Sequence, residues 1–246
     1  MKKFLLVVAN YKDQRQEIFE KYYSPRNKEF CQKHGYEYIV SKGIEIFRSN
    51  PTWWKFTVPL DLIDRGIVNQ GDVILHLDAD MIIKNTDLEY PHQKNFTYCI
   101  DNGNSHCMGN YSIRVTEWTR NMFKNILDEK LWNDCKDTEL WQLWREQAAW
   151  YTLAGVPRHS WIDYRIMPHK GWHQTQDEFF KNKVKYSLHE LYNNVEVLGP
   201  EWNSTILSED KDTIPDGIFQ YNIARSKRDN CIIRHFAAGQ AWRLDY

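Results

Sequence analysis

The 246-residue sequence has no long hydrophobic run. No stretch approaches the roughly 18 apolar residues that a membrane-spanning helix needs. The apolar run near the N-terminus, Phe4–Ala9, is shorter than the core of a secretory signal peptide, and no small-residue cleavage site follows it. We therefore expect no transmembrane segment and no cleaved leader, and we interpret Phe4–Ala9 as a buried first strand.

Cysteine is scarce and lacks paired spacing. The sequence has five cysteines, an odd number, and none of them belongs to a Cys-x-x-Cys pair. This pattern argues against a disulfide framework and against a structural zinc site. We expect a reducing compartment, with the protein in the cytoplasm or peripherally attached to a membrane.

A surplus of charge, internal repeats and low-complexity segments are also missing. Lys and Arg number 32 against 33 Asp and Glu, which gives a formal net charge of −1. Because a nucleic-acid-binding domain usually carries a positive surplus, we expect no nucleic-acid partner. The length suits a single α/β domain or two small lobes, with a sizeable core.

Aromatic residues are abundant, with 11 Trp and 14 Tyr. Flat rings with a polar edge suit the faces of sugars, and they also fill hydrophobic cores. Composition alone leaves both interpretations open.

The first 85 residues alternate strand and helix patterns. Continuous apolar runs predict buried strands, turn residues separate them from the helices, and this alternation predicts a mostly parallel sheet with flanking helices. Strands are predicted at Phe4–Ala9, Tyr36–Val40 and Val73–Leu77, and helices at 13–23, from Ser24 (as cap) to Gly35, and from Pro51 through Ile63.

The second half is less regular. Strands are predicted at Phe96–Ile100, Tyr111–Val115 and Ile232–His235, with 156–230 rich in loops. Thr116 is expected to cap a helix that reaches Leu131, and Thr138 a helix that ends at Gly155. We expect one domain, in which 1–105 binds a nucleotide-sugar and 106–246 faces the acceptor.

The strongest motif is an Asp-Ala-Asp triplet directly after the buried strand Val73–Leu77. Asp78 and Asp80 flank the small Ala79, and Ile82-Ile83 returns the chain to the core. Ligands of open α/β sheets bind at the carboxyl ends of the strands, and carboxylates there can hold a divalent cation. Such a cation can neutralise the charge on a departing nucleoside diphosphate.

A second candidate segment lies near the C-terminus. His235 follows an apolar run, and an imidazole is a good ligand for manganese-type ions. Gly239 would let the backbone approach a phosphate closely. The alternative is a core histidine at a strand end.

Taken together, these segments resemble glycosyltransferase family 34, the galactosyl-, mannosyl- and xylosyltransferases with the GT-A fold. The similar segments occur in the family's order along most of the chain, as in a diverged viral or bacterial relative. They are NKEFCQKHGY (Asn27–Tyr36), Trp54-Lys55, LDADMIIKN (Leu77–Asn85), GNYSIRVTEW (Gly109–Trp118), Glu146-Gln147, and His235-Phe236-Ala237 with Gly239.

The resemblance implies a GT-A α/β fold and a metal-dependent glycosyltransferase that retains anomeric configuration. Mn²⁺ or Mg²⁺ would be bound by Asp78, Asp80 and His235, and Gln147 would lie beside the reacting anomeric carbon. The nucleoside of a nucleoside-diphosphate sugar would lie against Ala9, Asn10 and Tyr11, and the acceptor would be a glycan or another hydroxyl compound.

Four further residues each have two interpretations. Lys55 reaches the nucleotide or is a solvated helix lysine. Glu146 is the general base of an inverting reaction or an exposed helix glutamate. Asp101-Asn102 contacts donor-sugar hydroxyls or forms a turn.

Three other functions fit the sequence less well than a transferase. A sugar nucleotidyltransferase would need a glycine-rich phosphate loop after the first strand, where the sequence reads ANYKDQRQ. A non-catalytic carbohydrate-binding protein would use the aromatics without needing Asp78 and Asp80. A degenerate transferase acting as a partner subunit would not need the intact metal motif.

Overall fold

The computed structural model describes residues 1–11, 14–43, 51–101, 106–156, 178–205 and 231–235. Two sheets form in these residues, and their strands are short and mostly apolar. The strands in chain order are β1 (Lys3–Val8), β2 (Tyr36–Ser41), β3 (Val73–Asp78), β4 (Met81–Ile83), β5 (Phe96–Ile100), β6 (His106–Arg114), β7 (Val195–Leu198), β8 (Ser204–Thr205) and β9 (Ile233–His235).

The larger sheet has six strands in the order β2-β1-β3-β6-β5-β7. β1 pairs in parallel with β2 and β3, and β5 pairs in parallel with β7. β6 runs antiparallel to both of its neighbours, β3 and β5. Five of these strands therefore point the same way, which confirms the predicted mostly parallel α/β sheet. The small sheet, in the order β4-β9-β8, lies beyond the end of β3.

Helices flank the large sheet. Among those described, none is both long and apolar enough to cross a membrane. They are α1 (Gln14–Ile18), α2 (Ser24–His34), α3 (Trp54–Asp64), α4 (Glu117–Ile126), α5 (Glu129–Cys135), α6 (Glu139–Ala154), α7 (Glu178–Lys181) and α8 (Leu188–Asn194).

The predicted role of Ser24 as a helix cap is wrong, although α2 does begin at this residue. A π-helical turn, Phe19–Tyr23, joins α1 to α2 without a break, and Tyr23, the residue before α2, has helical angles. Ser24 therefore lies within a continuous helical segment. The end of α2 is as predicted, because Gly35 adopts the left-handed conformation (φ 69°) that terminates helices.

The predicted continuation of one helix from Thr116 to Leu131 is also wrong. Thr116 does cap α4, and its side chain accepts a hydrogen bond from the Thr119 N–H. The helix ends at Ile126, and Asp128 caps the separate helix α5 by accepting from the Leu131 N–H. A second capping residue, Asp128, thus divides the apolar stripe into two helices.

The predicted loop-rich segment 156–230 contains elements that its pattern did not reveal, namely α7, α8, β7 and β8 in its described part. The short strand β7 extends the large sheet at its edge and pairs with β5. Its four residues are too few to show a clear alternation. Much of the rest of this segment lies outside the described residues.

The two faces of the sheet bury different side chains because alternate residues of a strand point in opposite directions. Leu6 and Ile74 face α3, α4 and α6, whereas Leu5 and Leu75 face α2 and the small sheet. Many aromatics belong to this core, among them the fully buried Trp53, which favours core filling over sugar contact for those rings.

Candidate functional site

The carboxyl ends of β1 and β3 meet at one edge of the sheet. Val8 and Asp78 are partners in the parallel register, so both strands end at the same level. Asn10 and Tyr11, which follow β1, therefore lie beside Asp78, Ala79 and Asp80. This is the position at which open α/β sheets bind ligands.

A cleft of about 360 Å³ opens at this edge. Six of its lining residues are among those predicted for the site: Asn10, Tyr11, Lys55, Asp78, Ala79 and Asp80. The others are Val8, Arg15, Pro51, Thr52, Trp54 and His76.

The small sheet brings the C-terminal histidine to the same place. β4 follows Asp80 directly and pairs antiparallel with β9, so that Met81 and His235 are partners. One ligand atom from each of Asp78, Asp80 and His235 lies within 4.8 Å of the others. Residues more than 150 positions apart in the sequence thus form one cluster of two carboxylates and one imidazole.

This cluster suits a divalent cation. Asp80 Oδ1 is buried and accepts no hydrogen bond from any described residue, and it lies 3.6 Å from His235 Nε2. Burial and the neighbouring Asp78 carboxylate raise the pKa of Asp80. A bound cation would relieve this repulsion, and mixed carboxylate and imidazole donors are typical of Mn²⁺ sites.

The His235 imidazole sits in a negative environment. Burial lowers its pKa, but the Asp80 carboxylate, a hydrogen bond to Cys107 and the Asp78 carboxylate outweigh burial and raise the pKa to about 9. Without a cation the ring therefore carries a proton at neutral pH. Metal binding to the His235 ring would release this proton.

Both oxygens of Asp78 are held by positively polarised groups. Lys55 Nζ lies 2.9 Å from Oδ2, and His76 Nε2 lies 3.1 Å from Oδ1. Burial would raise the pKa of this carboxyl, but Lys55 and His76 outweigh burial and hold the pKa well below its usual range. The His76 Nε2 must carry the proton, because it faces a carboxylate oxygen.

Lys55 contacts a second carboxylate besides that of Asp78, namely the carboxylate of Glu146 on α6. Its Nζ also lies 3.1 Å from Glu146 Oε1, and both side chains are less than a tenth exposed. Tyr111 donates its hydroxyl hydrogen to the Lys55 carbonyl and so fixes the backbone of α3 at this point. The solvated alternatives considered for Lys55 and Glu146 are therefore wrong.

Known proteins resemble this chain in fold and not in sequence. No protein-family model and no curated protein matches the sequence. The structure is similar to that of a glycosyltransferase involved in the glycosylation of the major capsid of PBCV-1, with a TM-score of 0.51 at 12% sequence identity. That similarity covers 99% of this chain and 97% of the other. The chain adopts the GT-A glycosyltransferase fold.

Two other similar structures are glycosyltransferases with lower scores. The apo form of GlyE from Streptococcus pneumoniae TIGR4 has a TM-score of 0.49 and 13% identity, over 97% of this chain and 55% of that one. Mouse xyloside xylosyltransferase 1 has a TM-score of 0.47 and 10% identity, over 98% of this chain and 99% of that one. The specific resemblance to family 34 stays a prediction.

The remaining predicted residues occupy different places in this GT-A fold. Gln147 follows Glu146 on α6 and accepts a hydrogen bond of 2.8 Å from the Met108 N–H.

Ala9 is buried and donates its own N–H to the Ser41 carbonyl, so this N–H is already bonded within the sheet. Asp101 is half-buried just after β5, at the same edge as Asp78. Asn102 and Gly239 lie outside the described residues.

Sequence reasoning missed several residues of the cleft. His76 is the most informative case, because it precedes Asp78 by two positions in a strand and must therefore face the same side. That spacing could have identified it. Arg15, Thr52 and Trp54 lie on helical segments on either side of the strand ends, and no local pattern marks them.

Proposed function

We propose that the chain is a metal-dependent glycosyltransferase that moves a sugar from a nucleoside-diphosphate sugar to a hydroxyl group of a glycan or other acceptor. The observation that carries this proposal is the convergence of Asp78, Asp80 and His235 in the wall of the cleft, at the carboxyl end of β3. The GT-A fold supports it independently.

Asp78, Asp80 and His235 would hold the cation. The imidazole favours Mn²⁺ over Mg²⁺, because Mg²⁺ prefers oxygen ligands. When bound, the cation supplies electrostatic stabilisation of the charge that develops on the leaving diphosphate.

The nucleoside would lie in the cleft against the residues that follow β1. The Tyr11 ring is partly buried and offers a flat face to a base, and the guanidinium carbon of Arg15 lies 4.9 Å from the ring centroid and fixes its position. Asn10 is exposed and has both a donor and an acceptor for the ribose. Lys55 lines the same cleft and can place its ammonium against the diphosphate.

The groups around the transferred sugar would come from α6 and the end of β5. Gln147 is proposed beside the anomeric carbon, and Asp101, with Asn102, near the donor-sugar hydroxyls. Glu146 would be the base if the reaction inverted, but its Oε1 pairs with Lys55 and is thereby drawn toward Asp78. We therefore favour retention, as the family resemblance implies, with 106–246 providing the acceptor side.

The test is a panel of nucleoside-diphosphate sugars incubated with Mn²⁺ and assayed for slow release of free sugar and nucleoside diphosphate. We expect hydrolysis of at least one donor, loss of activity in Asp80→Asn, and full activity in Asp64→Asn, which changes an aspartate paired with Arg120 elsewhere on the molecule. Equal activity in Asp80→Asn, or no donor bound or hydrolysed by the wild type, would contradict the proposal.

A further inference from the structure

The Lys55 ammonium lies between two carboxylates and neutralises part of their charge. The same ammonium repels any second positive charge that approaches these carboxylates. Its Nζ contacts Asp78 Oδ2 at 2.9 Å and Glu146 Oε1 at 3.1 Å, and the side chain is 9% exposed. In this state the ammonium already neutralises part of the charge of the site.

The partners of Asp78 leave no oxygen of that carboxylate free. Oδ1 is bonded to His76 Nε2, and Oδ2 is bonded to Lys55. A cation that approaches Asp78 must therefore share Oδ1 with the His76 N–H, share Oδ2 with the ammonium, or displace one of these two partners. Asp80 Oδ1, by contrast, accepts no hydrogen bond within the described part of the chain. The resistance to a cation is thus concentrated on the Asp78 side.

Charge repulsion gives the expected size of this resistance. A divalent ion and an ammonium about 5 Å apart repel each other enough to weaken binding about tenfold, even when the effective dielectric constant approaches that of water. A nucleoside diphosphate would change this balance. Lys55 lines the cleft, so a diphosphate bound there gives the ammonium a new anionic partner and relieves the repulsion.

From this geometry we infer that Lys55 is an internal counter-ion that couples the binding of the metal to the binding of the nucleoside diphosphate. In the empty site it takes the place of the missing positive charge at Asp78, which keeps the affinity for the metal alone low. The diphosphate draws the ammonium away from Asp78 and so raises the metal affinity. Since such coupling is reciprocal, the metal raises the affinity for the diphosphate by the same factor. The inference rests on the proposed function.

The decisive variant is Lys55→Met, which keeps most of the side-chain length and removes the charge. Electron paramagnetic resonance of free Mn²⁺ measures metal binding without nucleotide and again with a saturating nucleoside diphosphate, chosen as the tightest binder among UDP, GDP and ADP. We expect Lys55→Met to bind Mn²⁺ alone about tenfold more tightly than the wild type, and the enhancement by the diphosphate to fall about tenfold. Lys55→Arg keeps the positive charge and should therefore bind Mn²⁺ alone no more tightly than the wild type.

The control is Lys183→Met, which removes a lysine paired with Asp134 at the same distance of 2.9 Å, far from the cleft. It should leave both affinities unchanged. Because Lys55→Met leaves Glu146 buried without its cation, the double variant Lys55→Met/Glu146→Gln is compared with Glu146→Gln alone, and it should again bind Mn²⁺ more tightly.

Folded variants that bind Mn²⁺ alone as weakly as their references, or more weakly, would overturn the inference and show that Lys55 merely orients Asp78. A wild-type protein that binds no Mn²⁺ with any of the diphosphates would instead refute the proposed function itself. The two failures are therefore distinguishable.

Discussion

The side chain of Met81 lies directly over the Cα of Gly109. A Cβ atom added at position 109 would lie 2.3 Å from Met81 Cε and 3.2 Å from Asp78 Oδ2. Gly109 belongs to β6, which runs antiparallel to β3, and Met81 begins β4 just after the Asp-Ala-Asp triplet. The absence of a side chain at position 109 thus allows the triplet to turn tightly against the sheet.

This contact predicts a coupling between the two residues. Gly109→Ala should destabilise the fold by about 1–3 kcal/mol through overpacking, and Met81→Ala by about 2–5 kcal/mol through loss of a buried side chain. The double variant should lose less than the sum, by at least about 1 kcal/mol, because the shortened side chain makes room for the new methyl group. Urea unfolding of the four proteins measures this, and additive effects would contradict the packing described here.

The metal motif and the first three strands of the sheet could be predicted from sequence because their signals are local. Val73–Leu77 is continuously apolar, and its end carries the triplet. His235 is a candidate ligand from its own segment, but it could be joined to Asp78 and Asp80 only through the resemblance to a known family, since no local pattern connects it with Asp80. In the structure this connection is made by the pairing of β4 with β9.

Other features could not be predicted because they depend on distant partners. The reversed direction of β6 follows from its pairing with β3 and β5, and a strand pattern carries no direction. The ion pairs of Lys55 join α3, β3 and α6, and a single lysine in a helix has no sequence signal for burial. The helical segment likewise continues through Ser24 because a π-helical turn precedes it. The residue spacing of such a turn differs from the α-helical period, so the sequence pattern does not reveal it.

The hydrogen bond between Gln147 and Met108 predicts that two effects of mutating Gln147 can be separated. Gln147→Leu leaves the Met108 N–H without its acceptor and should cost about 1–3 kcal/mol of stability. Gln147→Glu keeps an oxygen at this position and should retain the stability. If the amide also contacts the donor sugar, as proposed, Gln147→Glu should still lower transfer at least about tenfold. Full transfer by Gln147→Glu would exclude Gln147 from the reacting centre.

Burial of His106 predicts a loss of stability in acid. This histidine is fully buried in β6, its Nδ1 lies 2.8 Å from the Tyr98 hydroxyl, and burial lowers its pKa to about 3. The unfolded chain, with a pKa near 6.5, binds a proton first as the pH falls, so this contribution to stability is complete above about pH 6.5 and declines toward pH 3.

The corresponding measurement is the free energy of unfolding between pH 7.5 and 4.5. His106 should account for a loss of about 2–3 kcal/mol over this range. The variant His106→Asn, which retains a polar group near the Nδ1 position, should show a correspondingly shallower decline. Identical pH profiles for the two proteins would show that His106 does not remain neutral in the folded state.

The central claim, that Asp78, Asp80 and His235 together bind a divalent cation, is tested most directly by electron spin echo spectroscopy of bound Mn²⁺. An imidazole ligand produces a nitrogen modulation of the echo. The account predicts this modulation in the wild type and its loss in His235→Gln. The modulation should persist in His76→Gln, which alters the histidine that contacts Asp78 Oδ1. A modulation that survives in His235→Gln, or one that is absent from the wild type with Mn²⁺ bound, would contradict the account.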